Sequence, residues 1–270
     1  MRHLFSLALW AACSASAQEE VPFITTPDQV TLAMLQIAAV GPADHVIDLG
    51  SGDGRIVITA AKGFGASGLG VEIVPDLVQQ SLANARRAGV AARVDFREQD
   101  LFRTELGRAT VVTMYLLPEV NLQLRPRLLA LAPGTRIVSH DWDLGDWAPD
   151  RTLNIDVPDK AIGREKLSRV HLWTVPAPVQ GLWCSAGASL QITQRFQTFS
   201  AVLSERGAAA PLVVFDGRIN GAALTGTGLH AAALQWRGTA LNPTLSAALL
   251  PAAANAWIGR NFVRAGPAGC

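Results

Sequence analysis

From Thr26 to about Trp173, apolar runs alternate with stretches of helical period. TPDQVTLAMLQIAAV reads as a helix capped by Thr26, with Pro27 at its first position and Gln29 completing a T-x-x-Q capping box. Apolar runs predict strands at 45–49, 67–73, 92–98, 110–116 and 135–141. Between them, helices are expected at 54–62, from Pro75 to a stop at Gly89, and at 118–131. Strands alternating with helices imply βαβ units and a mainly parallel sheet covered on both faces. Two later runs, RTLNIDVP and RVHLWTVP, have no helix between them and should form an antiparallel hairpin at one sheet edge. The sheet would then have seven strands.

The pattern changes after Pro176-Ala177-Pro178. Short alternating segments follow, among them ASLQITQRF, TFSAVLSE, PLVVFDGRI, AALTGTGL and HAAALQWRGTAL, separated by turn residues at the spacing of an antiparallel meander. A meander leaves exposed edges unless it closes, so a small all-β, barrel-like domain is expected over 177–270.

At 270 residues, 49% hydrophobic and 17% charged, the chain can fill a real core. Its net charge of +1 provides no broad basic surface, and no nucleic-acid partner is expected. Lysine is scarce, confined to Lys62, Lys160 and Lys166, so arginine carries nearly all the positive charge. The first residues, MRHLFSLALWAACSASAQEE, combine Arg2, an apolar stretch and an Ala15-Ser16-Ala17 cleavage pattern. Residues 1–17 are therefore read as a signal peptide cut before Gln18, with residues 18–176 and 177–270 as the two mature domains of a periplasmic protein. A start further along the chain would leave it cytoplasmic instead. The apolar stretch is too short to span a bilayer, so no stable membrane span is expected after cleavage. Cleavage would leave Cys184 and Cys270, an even pair that can form a disulfide, and they sit near the two ends of the expected barrel. The scattered histidines and cysteines predict no metal site.

The chemistry concentrates in HVIDLGSGDGRIV. Its glycines follow a strand and open a helix, the context in which a glycine-rich turn is informative. The spacing is D-x-G-x-G-x-G, with Asp48, Gly50, Gly52 and Gly54. A dinucleotide fingerprint would place its third glycine one residue later, where Arg55 stands, and a phosphate-cradling loop would need Gly-Lys-Ser/Thr. An acid ending the strand suits a ligand with a cationic amino-acid portion better than a pyrophosphate. Glu72 ends the next strand, where a carboxylate can accept both hydroxyl protons of a ribose. Asp100 closes the third strand and, with Leu101, would border an adenine. Three acids at successive strand ends line the crevice where open α/β sheets bind ligands. SHDW brings Ser139, His140 and Asp141 together, but the G-x-S-x-G turn of a hydrolase is absent. His140 reads equally as a structural histidine, and Trp142 and Trp147 as a packed lid or core edge.

Residues 46–142 resemble a class I S-adenosylmethionine-dependent methyltransferase, with VIDLGSGDG, GVEI and EQDLF as successive motifs. The run VVTMYLLPEVNLQLRPRLLALAPGTRIVSHDWDLGDW is similar to bacterial relatives of the protein-lysine methyltransferases that modify the ATP synthase c subunit. The resemblance covers roughly Pro22 to Trp173. It implies a Rossmann-like α/β fold and S-adenosyl-L-methionine as cofactor, and it makes protein lysine the leading acceptor. It assigns cofactor binding to Asp48, Gly50, Ser51, Gly52, Gly54, Glu72, Ile73, Asp100 and Leu101, and places Tyr115 where the methyl-accepting amine is positioned. An exported binding protein built on the same scaffold, or a nicotinamide-dependent oxidoreductase, are the alternative readings.

Overall fold

The computed structural model describes residues 24–161, 165–227, 233–238, 240–243, 257, 260–267 and 269–270. The expected signal peptide lies outside the described residues. The first unit is a seven-stranded sheet flanked by helices. Its parallel strands are β1 (His45–Leu49), β2 (Ser67–Glu72), β3 (Val94–Glu98), β4 (Val111–Met114) and β5 (Arg136–His140). The edge hairpin is β6 (Arg151–Asp156) and β7 (Leu167–Thr174), and the order is β3-β2-β1-β4-β5-β7-β6. As expected, β7 runs antiparallel to both β5 and β6.

Alternation along the strands divides the core. Val46, Val111 and Val138 pack with α1 (Asp28–Ile37) and α2 (Arg55–Phe64), while Ile47, Val112 and Ile137 pack with α4 (Pro118–Leu129) on the other face. The helix α3 (Pro75–Arg87) packs beside α2 against Phe96 of β3. Asp48 and Thr113 are register partners in β1 and β4, two positions along from the Val46 and Val111 row. A polar pair thus continues that apolar row at the carboxyl ends of the strands.

The capping box does not form. Pro27 takes the N-cap position and no side chain caps α1. The Thr26 hydroxyl instead lies 3.4 Å from His140 Nδ1, and the Gln29 amide donates to the Asp156 carbonyl at 2.8 Å. Both groups are spent on long-range contacts, which a local capping rule cannot anticipate. Likewise, Asp100 lies just beyond β3, where it caps a short 3₁₀ turn (Leu101–Arg103) through the Phe102 N–H at 2.8 Å.

The second unit is a closed antiparallel barrel of eight strands, β8 (Gly181–Ser185) through β15 (Phe262–Arg264) in simple meander order. Alternate residues fill it: in β11 (Val213–Asn220), Val213, Phe215 and Ile219 are buried between exposed neighbours. Closure rests on β15 pairing with β8 at Val263–Cys184 and Arg264–Trp183. A Cys184–Cys270 disulfide stands at this seam, with the two Cα atoms 5.4 Å apart. None of the described helices is long and apolar enough to cross a membrane.

Candidate functional site

The glycine-rich turn leaves β1 and enters α2. Gly50, Gly52 and Gly54 all have left-handed backbone, with φ of 75°, 53° and 82°. Every second residue therefore needs the freedom that a side chain would remove. Gly54 has a second reason: a Cβ there would stand 2.8 Å from the Phe96 ring and 2.9 Å from Ser81 Oγ. The third glycine thus serves packing of the turn against β3 and α3. Two α3 residues that the sequence pattern did not single out hold the turn from beneath. Ser81 Oγ donates to the Gly52 carbonyl at 2.8 Å, and Asn84 Nδ2 to the Asp53 carbonyl at 2.9 Å. Arg55, opening α2, forks onto Asp53 and reaches the Thr26 carbonyl at 2.8 Å, tying the turn to the start of α1.

Asp48 lies beneath the turn, 2% exposed, and its Oδ1 accepts the Thr113 hydroxyl at 2.6 Å. Burial pushes its pKa up to about 7; the Thr113 hydrogen bond opposes the shift, and the nearby Glu72 and Asp53 charges add to it. A cation placed over the turn would relieve this buried charge. Ser51 Oγ is buried and has no hydrogen-bond partner among the described residues. Glu72 Oε2 accepts the Gly52 N–H at 2.9 Å, and its Oε1 accepts Ile73 and Val74 N–H at 2.8 and 3.1 Å. The carboxylate is thereby fixed between the turn and the start of α3. Ile73 is 65% exposed and Phe102, beside Leu101, is also exposed, so apolar surface borders these acids. Asp48, Glu72 and Asp100 thus share the carboxyl edge of the sheet as expected.

Tyr115 directly follows β4. Register pairs Leu49 with Met114 and Met114 with Ser139, so Gly50, Tyr115 and His140 lie in one row across neighbouring strands. Such strands stand about 4.8 Å apart. The Tyr115 ring packs against His140, with centroids 3.9 Å apart and the planes tilted by 32°, and its hydroxyl donates to Asp141 Oδ2 at 3.5 Å. Burial, together with Asp141, pushes the tyrosine pKa up to about 12, so it acts as a donor. His140 is structural: burial takes its pKa down to about 4, and its ring nitrogens meet the Thr26 and Ser168 hydroxyls. Ser139 donates to the Trp142 carbonyl at 2.6 Å, so it anchors the following loop. Trp142 is 45% exposed, whereas Trp147 is fully buried in the core.

That loop, from Asp141 to Asp150, connects β5 to β6 and packs against the barrel. Buried Asn121 of α4 donates to the carbonyls of Trp142 and Asp143, each at 3.2 Å. From the barrel, Gln197 Nε2 donates to the Ala148 carbonyl at 2.6 Å. Arg195 pairs with Asp146 at 3.2 Å and Arg218 with Asp150 at 3.0 Å. Phe196 stacks on Trp147 with ring centroids 6.0 Å apart. These contacts have no local sequence signal. Among the described residues no cluster suited to a metal ion occurs.

Residues 48–151 match the family model for the ANTKMT methyltransferase domain. The chain is 44% identical over 138 residues to a protein-lysine N-methyltransferase of Saccharolobus islandicus, covering 50% of this chain and 86% of that protein. It is 39% identical over 109 residues to the lysine N-methyltransferase of Mus musculus named for the ATP synthase c subunit, spanning 40% of this chain and 43% of the mouse protein. Among solved structures, an RNA methyltransferase from Salinibacter ruber in complex with S-adenosyl-L-homocysteine superposes with a TM-score of 0.53 at 50% identity. The match covers 58% of this chain and 96% of that one.

Proposed function

Because the chain belongs to the protein-lysine N-methyltransferase family of S-adenosylmethionine-dependent methyltransferases, we infer that it transfers a methyl group to the side-chain amine of a protein lysine. The observation that carries this reading is the 44% identity to a lysine methyltransferase over 86% of that protein's length. The residues fit the cofactor: a buried carboxylate in need of a cation, a Ser51 hydroxyl without a partner among the described residues, and acids at the sheet's carboxyl edge beside the exposed Ile73 and Phe102. Asp48, Gly50, Ser51, Gly52 and Gly54 hold its amino-acid end, Glu72 with Ile73 its ribose, and Asp100 with Leu101 its adenine. When bound, S-adenosylmethionine supplies a methyl group on a sulfonium, so alignment and exclusion of water matter more than a strong acid or base. Tyr115, level with Gly50, positions the acceptor amine and remains protonated throughout.

The Salinibacter ruber relative is described as an RNA methyltransferase, which favours a second reading. Against it, a chain of net charge +1 provides no broad basic surface for a phosphate backbone, and Glu72 and Asp100 stand at the carboxyl edge of the sheet. The chain's relatives are methyltransferases, in keeping with catalysis rather than with a purely binding or nicotinamide-dependent role. We further propose export to the periplasm, supported by the Ala15-Ser16-Ala17 pattern and the Cys184–Cys270 bridge. Purified protein with methyl-labelled S-adenosylmethionine, given protein and RNA fractions from the compartment where it resides, tests both points. Label on lysine Nζ and a mature N-terminus at Gln18 are expected. Label confined to RNA would overturn the acceptor, and an intact Met1 would overturn export.

A further inference from the structure

The β6–β7 hairpin returns Lys160 to the acceptor side of the site. Its Nζ lies 2.7 Å from Asp141 Oδ2 and donates to the Leu167 carbonyl at 2.6 Å. That same Asp141 oxygen accepts the Tyr115 hydroxyl, and Asp141 Oδ1 accepts the Arg169 backbone N–H at 3.0 Å. The two charged side chains are only 13% and 14% exposed. Asp141 has a φ of 63°, a left-handed conformation that costs a non-glycine residue about 1 kcal/mol or more. This turn carries the carboxylate at the end of β5, where it meets Tyr115. The register places Tyr115 one strand from Gly50, and His140 with its neighbour Asp141 one strand further. Cofactor turn, tyrosine and carboxylate therefore form a line.

The cation at the end of that line is a lysine. In a chain that gives almost every basic position to arginine, one of its few ammonium groups is paired with this carboxylate. A planar guanidinium would present a fork instead of a compact charge. An acceptor lysine brought beside Tyr115 must meet the same oxygen that Lys160 holds. We propose that Asp141 and Tyr115 form the subsite for the acceptor's ammonium, and that Lys160 fills it until an acceptor displaces it. This rests on the lysine reading given above. A subsite occupied by a resident group lowers apparent acceptor affinity by the fraction of time it is free.

The test is calorimetric binding of Nα-acetyl-lysine methylamide to the full chain without cofactor, with its neutral Nε-acetyl derivative as the control. If Lys160 fills the subsite nine-tenths of the time, Lys160→Met should bind the ammonium probe about tenfold more tightly than wild type. The neutral control should not change, and adding Asp141→Asn should abolish the gain. Lys160→Gln, which keeps a donor for the Leu167 carbonyl, guards against a folding failure, and Lys62→Met should behave as wild type. Folded Lys160→Met and Lys160→Gln proteins that bind the probe no more tightly than wild type would overturn the subsite. The lysine reading would survive that result if the wild type still methylated lysine. Label on RNA alone, with no ammonium binding by any variant, would remove both.

Discussion

Asp48 couples protonation to cofactor binding. Its folded pKa stands near 7, raised first by burial, while in the unfolded chain it ionises near 3.8. The folded state therefore holds the proton more tightly, and stability falls as pH rises from about 4 to about 7, by about 4 kcal/mol across that window. A ligand bearing an ammonium and a sulfonium selects the ionised carboxylate. With a pKa of about 7, roughly a tenth of the free protein is ionised at about pH 6 and nine-tenths at about pH 8. Cofactor affinity should then rise about tenfold between those values, or about 1.4 kcal/mol. Titration calorimetry in two buffers of different ionisation enthalpy reads both the affinity and the proton released, expected to approach one per cofactor at the lower pH. Repeating it with S-adenosylhomocysteine, which lacks the sulfonium charge, separates the two cations. Asp48→Asn should bind weakly with a flat profile. Equal wild-type affinity at both pH values, or an unchanged slope in Asp48→Asn, would refute the coupling.

Gly70→Ala should destabilise the first unit by about 2 kcal/mol, because a Cβ there would stand 2.5 Å from the Phe96 ring and 2.7 Å from Ser51 Oγ; urea unfolding checks it. Cys270→Ser, or reduction, opens a bridge between residues 86 apart and should cost the barrel about 4 kcal/mol, read by thermal unfolding with and without reductant. Tyr115→Phe should keep cofactor affinity yet lower kcat about tenfold, the worth of one hydrogen bond to a charged group, in a steady-state methylation assay. Gln197→Ala removes the buried amide that holds the Ala148 carbonyl and should weaken that anchor by about 1–2 kcal/mol. Faster hydrogen exchange at 146–150, with unchanged cofactor affinity, is the expected readout.

The chain's own pattern determined much of this protein. Strand alternation and helical period are local, so the sheet, its edge hairpin and the meander were legible as residues 45–49, RTLNIDVP or PLVVFDGRI. The glycine spacing was legible too, because glycine is the residue that enters a left-handed backbone without a steric penalty, and the turn takes that conformation at Gly50, Gly52 and Gly54. Tertiary structure decided what depends on distant partners. It drew Thr26 and Gln29 out of a capping box and gave the turn its support from Ser81 and Asn84. It bridged Cys184 to Cys270 where the last barrel strand meets the first. It set Lys160 against Asp141 across a hairpin and fastened the 141–150 loop to the barrel. Backbone conformation answers to near neighbours in the chain, whereas a charge or hydroxyl takes whichever partner the packed elements bring within reach.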